Sequence, residues 1–150
     1  MKTSLQLLPI AFAALALSPS AHAVLGGAAS TVEVDRMQMK AAVPAASNKI
    51  NYTVHEMTLP SGVSVREYIA NDKVFAVAWR GRIMPDLKQL MGPYFDTYTS
   101  EARSHGNGHT HVAIEHPELV VHAAGHMRAY AGSAYIPSML PEGIKASEIQ

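Results

Sequence analysis

From Ile50 onward the chain alternates between apolar and polar positions. The stretch "INYTVHEMTLPSGVSVREYIANDKVFAVAWRG" carries β-branched and aromatic residues in three runs, broken at Pro60-Ser61-Gly62 and at Asn71-Asp72. A period of two interrupted by turn residues predicts a three-stranded antiparallel meander. Asn and Asp tolerate positive φ, which both centres of a two-residue hairpin loop need, so Asn71-Asp72 sets a register. Ile69 then faces Val74, Tyr68 faces Phe75, and Arg66 faces Val77. In that register Tyr68, Phe75, Val77 and Trp79 share one face, with Val63, Val65, Ile69, Val74, Ala76 and Ala78 on the other. Arg66 falls diagonal to Phe75 and Trp79, within reach of a cation–π contact.

The period then changes. In "PDLKQLMGPYFDTYTSEA", residues 85 to 102, Leu87, Leu90, Met91, Tyr94, Phe95 and Tyr98 recur at helical spacing. Pro85 suits the first turn of a helix and Asp86 its positive end. Pro93 lacks an N–H and clashes with the turn before it, so the helix kinks or restarts at Gly92-Pro93. The stripe reads as core that covers one face of the meander.

From His109 to Arg128 alternation returns, divided by Pro117, and predicts a second hairpin. A loop centred on His116-Pro117, or one running from Glu115 to Glu118, pairs Ile114 with Leu119, Val112 with Val121 and His111 with His122. Parity puts Val112, Ile114, Leu119, Val121 and Ala123 on one face and His109, His111, His122 and His126 on the other. Histidines at i and i+2 with a third across the ladder, where facing Cβ atoms lie about 4.5–5.5 Å apart, suit a shared zinc or copper ion. The bland alternative is a solvated face of a hairpin packed on its other side. That alternative weighs more, because no H-E-x-x-H helix, cysteine partner or orienting carboxylate accompanies the imidazoles. A one-residue slip would scatter them over both faces.

The opening "MKTSLQLLPIAFAALALSPSAHA" has Lys2, an apolar run from Leu5 to Leu17 and a small-x-small ending at Ala21-His22-Ala23. This is the pattern of a signal peptide cleaved after Ala23, since the run is too short for a hydrocarbon core of about 30 Å. No later segment is long and apolar enough to be transmembrane. Residues 24 to 49 are rich in Ala, Gly and Ser and read mainly as linker, with a short helix from Ser30 to Lys40 opened by a Ser30 or Thr31 cap and Glu33. Residues 50 to 150 then form a single α+β domain, an antiparallel meander and a second β-hairpin with one kinked helix packed on the sheet. The tail "PSMLPEGIKASEIQ" is expected along the surface.

Composition narrows the function. There is no cysteine, so neither a lipid anchor nor a disulfide framework is available. Twelve basic side chains balance twelve acidic ones, which is no footprint for nucleic acid or an anionic membrane, and a partner in the envelope would be recognised by shape. No G-x-S-x-G elbow or glycine-rich phosphate loop occurs, so no catalytic residues are assigned.

The phrases "YTVHEMTLPSGVSVREY", "VFAVAWRG", "PDLKQLMGPYFDTY" and "GHMRAYAGSAYIP" together resemble DUF2844, a family of small exported bacterial proteins of unknown function. The resemblance implies export and a shared fold, and supplies no activity, cofactor or site. His126 lies within a shared phrase, whereas His105, His109, His111 and His116 lie in the stretch that matches least.

Three classes of function follow. The first is an exported, non-catalytic binding or assembly module without a cofactor, presenting Arg66, Trp79 and Arg128 to a ligand or partner. The second is a zinc or copper binder using His109, His111, His122 and His126. The third is a hydrolase with an unrecognised site around Arg66, Glu67 and Arg128. The first is favoured.

Overall fold

The computed structural model describes residues 25–32, 36–37, 39–42, 45–104 and 111–150. The expected leader, Glu33, His105 and His109 lie outside the described residues. The architecture is mixed α+β. Seven antiparallel strands make one sheet: β1 (Ala45–Asn48), β2 (Thr53–Thr58), β3 (Ser64–Ala70), β4 (Lys73–Gly81), β5 (His111–His116), β6 (Leu119–His126) and β7 (Ala129–Tyr135). Their spatial order is β1-β2-β3-β4-β7-β6-β5. Two meanders are therefore fused into a single sheet where β7 pairs with β4. After β4, in the middle of the sheet, residues 82–104 carry the helical part of the crossover, and β5 takes up the far edge.

The helical part of that crossover breaks where the sequence says it must. α1 (Leu87–Met91) passes through a 3-10 turn at Gly92–Tyr94 into α2 (Phe95–Ser104). Gly92 takes φ 47°, a conformation other residues rarely adopt, and Pro93 follows. Asp86 acts as the N-cap, its side chain accepting the Gln89 N–H at 3.1 Å. Leu90 and Met91 are buried, while Leu87, Tyr94, Phe95 and Tyr98 pack half-buried on the same core.

Asn71 and Asp72 both have positive φ, and Ile69 faces Val74 as the turn chemistry requires. One step further the register departs from expectation. A bulge between Tyr68 and Ile69 pairs Tyr68 with Ala76, Glu67 with Val77, Arg66 with Ala78 and Val65 with Trp79. The extra residue is Phe75. A bulge lets two consecutive side chains point to one side, and Phe75 and Ala76 both join Tyr68 in one cluster. Val77 and Trp79 are thereby turned to the opposite face, with Val63, Val65, Ile69 and Val74.

The sheet therefore has a helix face and a tail face. The helix face carries the main core, including Met57, Ile114, Leu119, Val121 and Ala134. Gly132 on β7 lets the Trp79 ring lie against the sheet, since a Cβ there would be 2.4 Å from Trp79 Cζ2. The segment expected mostly as linker contributes to this core: Leu25, Val32 and Ala41 are buried, and Ala45–Asn48 forms the edge strand β1. Of the helix expected from Ser30 to Lys40, the described part shows a 3-10 turn at Ala29–Thr31 and helical conformation at Val32, Arg36 and Met37.

The tail does more than run along the surface. Residues 137–150 cross the tail face over β2 to β4, where Ile149 is buried against Tyr68, Phe75, Ala76 and Ala78 and is joined by Leu140 and Ile144. Among the described residues no helix is long and apolar enough to cross a membrane.

Candidate functional site

Among the described residues, tail side chains pack over β2 to β4 and leave His111, Ala113, His122 and Ala124 exposed on the same face. Over β2 to β4 the apolar residues are covered, and Tyr52, Tyr68 and Phe75 form an aromatic cluster with ring centroids 6.0 to 6.2 Å apart. Over β5 to β7 the tail-face positions next to Val120 and Tyr135 are small, Ala113, Ala124, Ala131 and Ser133, and His111 and His122 stand on the same face. Small side chains between the tail and two imidazoles leave a groove. Its volume is about 330 Å³, and Arg80, His111, His122, Ala131, Ser133 and Ile149 line it. A second cavity of about 210 Å³, lined by Glu56, Ser64, Arg66, Arg80 and Gln150, adjoins it at Arg80 and Gln150.

The groove wall is pinned by a polar chain of contacts. Arg66 stands opposite Glu56 across β2 and β3. Its Nε donates to Glu56 Oε2 at 2.9 Å and its Nη1 to the Gln150 carbonyl at 2.8 Å. Ser64 Oγ donates to the other Glu56 oxygen at 3.0 Å. The Tyr68 hydroxyl donates to the Gln150 carbonyl at 2.9 Å and accepts the Gln150 N–H at 3.0 Å. The bond from Arg66 holds the Glu56 carboxyl below its ordinary range, with Ser64 adding to the effect against the opposing pull of burial. Glu56 in turn raises Arg66. This network ties the last residue of the tail to the sheet, so Arg66 acts as a tether.

Arg80 is different. It is exposed beside the groove and makes no ion pair among the described residues, which leaves its five N–H donors available for a carboxylate or phosphate.

The expected histidine constellation is altered. Pro117-Glu118 form the β5–β6 turn, so His116 faces Leu119, Ile114 faces Val121, Val112 faces Ala123 and His111 faces Ala124, while His122 faces Ala113. The shift is two residues, and its cause is the proline. Pro presets φ for the first centre of a turn and is disfavoured at the second, where a His116-Pro117 loop would have put it. The Glu118 N–H also donates to His116 Nδ1 at 3.2 Å, closing the turn. A shift of two preserves parity, so His111 and His122 still share the tail face, as diagonal neighbours about 7–8 Å apart at Cα. His126 lies four residues beyond His122, about 13 Å along the strand. Among the described residues no three His, Cys, Asp or Glu side chains gather as a metal group. His111 and His122 are the pair a metal would use.

Arg66, Trp79 and Arg128 do not come together. Arg66 is on the tail face, Trp79 is buried on the helix face, and Arg128 sits in the β6–β7 turn. The expected cation–π contact between Arg66 and Trp79 is excluded because the Phe75 bulge turns Trp79 away. Glu67 is likewise buried on the helix face opposite His55, with the sheet between it and Arg66. The residues of the hydrolase reading thus fall in three separate places. Sequence reasoning missed Arg80, whose signal lay in its phase with Ala78, and the tail, whose signal was Leu140, Ile144 and Ile149 recurring in a polar segment.

The family model described as "Protein of unknown function (DUF2844)" matches residues 21–149 of the 150-residue chain, and the chain belongs to that family. No curated protein and no solved structure matches it.

Proposed function

We propose that this member of the DUF2844 family is an exported, non-catalytic binding or assembly module of the bacterial envelope, with the open half of the tail face as its ligand surface. The observation that carries the reading is the groove. It is concave, floored by small side chains on strands, and rimmed by two exposed imidazoles and by Arg80, which makes no ion pair among the described residues. Sites on strands hold their geometry better than sites on loops. Export is supported by the leader pattern of residues 1–23. A structural role for Arg66 and Glu56 is supported by their mutual contacts.

The experiment is affinity capture from the native envelope with three baits: wild type, an Arg80→Glu/His122→Glu double variant, and a Ser100→Glu control on α2. Loss of the captured partner in the groove variant alone is expected. Equal capture by all three removes the groove as the site, and turnover of a substrate by the purified chain removes the non-catalytic reading.

A second reading is favoured by one observation, that His111 and His122 line the same groove. Two imidazoles on adjacent strands suit zinc or copper with water or a further ligand completing the shell. Calorimetric titration at neutral pH tests it: the metal reading requires stoichiometric binding that disappears in His111→Ala/His122→Ala.

A further inference from the structure

A chain with balanced charge can still be polarised. The pairing of Gly81 with Tyr130 and of His126 with Ala129 brings two segments to one end of the sheet, on either side of β7. One is Arg82-Ile83-Met84, where the chain leaves β4. The other is Met127-Arg128, the two-residue turn between β6 and β7. Neighbouring strands are about 4.8 Å apart, so these segments form one tip.

Three of the five exposed large apolar residues among the described ones stand there: Met127 is 90% exposed, Ile83 51% and Met84 42%. Arg128 is held at φ 66°, unusual for a residue with a side chain. Arg82 and Arg128 are exposed, and neither makes an ion pair among the described residues. Asp86, the nearby acid in sequence, is occupied as the α1 cap. The opposite end carries Asp72 and Glu118 in its turns.

We infer that this tip docks the protein onto an anionic lipid surface, with Met127, Ile83 and Met84 entering the interfacial layer and Arg82 and Arg128 meeting headgroup phosphates. Charge complementarity favours lipid as the occupant, because apolar tips ringed by cations bind where acyl chains meet anionic headgroups. Shape favours it as well. The tip is one two-residue turn and one bend, and three apolar side chains fall far short of the roughly 1,000 Å² that a specific protein interface buries. The tip is cationic although the chain's net charge is balanced, and its residues lie outside the groove.

The test is sedimentation of the chain beginning at Val24, which retains every described element, with vesicles of phosphatidylcholine alone or mixed with phosphatidylglycerol. Binding to the mixed vesicles only, and release by salt, are expected. Each arginine near the surface contributes roughly five-fold, so Arg82→Gln/Arg128→Gln should weaken binding about twenty-five-fold. Met127→Glu should abolish it with an unchanged melting temperature, since that side chain covers no core, while His122→Ala binds like wild type. Equal binding to both vesicle types, none to either, or binding undiminished in Met127→Glu overturns the inference. So does a dimer that Met127→Glu converts to monomer, which would make the tip a contact between copies.

Discussion

The helix face and the tail face belong to the same sheet, yet they are closed by different means. On the helix face, α1, the 3-10 turn and α2 lie over strands from both meanders, and the N-terminal segment adds Leu25, Val32 and Ala41. On the tail face a single segment, residues 137–150, packs on the first meander and reaches β7 at Tyr135. It is anchored at its end by Tyr68 and Arg66. The helix face is built for stability, with large side chains packed from both sides. Beyond Val120 and Tyr135, the tail-face positions of β5 to β7 are mainly Ala, Ser and His. The composition of one face thus switches from core to surface along the sheet, and the boundary is the groove.

The largest effect expected is on the helix face. Trp79→Ala removes a ring enclosed by the core and by Gly132, and should cost about 3–5 kcal/mol in chemical denaturation. Should it cost no more than a surface change, the assignment of the core would be wrong. Ile149→Ala should cost less, about 2 kcal/mol, because a terminal segment can relax toward the cavity it leaves. Its signature is faster proteolysis within residues 137–150 while the sheet stays protected in hydrogen exchange.

Smaller still is Glu56→Gln. Both side chains of the pair are more than 40% exposed, 42% for Arg66 and 44% for Glu56, so the loss at neutral pH should be at most about 1 kcal/mol. Its pH dependence has a fixed sign. The folded protein holds the Glu56 carboxyl below its ordinary value of 4.5. The stability it contributes is therefore complete above that value and disappears as pH falls through the depressed one. Wild type and Glu56→Gln should converge in acid; a gap that widens there would mean the pair is not what lowers the carboxyl. Smallest is His122→Glu, expected within about 0.5 kcal/mol of wild type by thermal denaturation, since the groove side chain is exposed.

The two faces were also unequally legible in the sequence. The helix stripe and its break at Gly92-Pro93 follow from period and proline chemistry, and both appear as expected. So does the Asn71-Asp72 turn, because its demand for positive φ is local. Phe75 defeats the register because the bulge is driven from afar: turning Phe75 beside Tyr68 buries it against Tyr52 and Ile149, residues distant in sequence. A single bulge then moved Val77 and Trp79 to the other face, and with them the expected contact to Arg66. The second hairpin slipped by two residues without such damage, since parity is unchanged by an even shift. The groove was illegible for a further reason. It exists only where the tail ends, and a proline-punctuated segment gives no periodic signal for where it will pack.

The most direct test of the open tail face is photo-crosslinking in the native envelope, with a probe replacing Ala124 in the groove and, separately, Ser100 on α2. Both positions are exposed. The account predicts a discrete adduct from position 124 that Arg80→Glu abolishes, and none from position 100. Adducts from position 100 alone, or from position 124 regardless of Arg80, would contradict it.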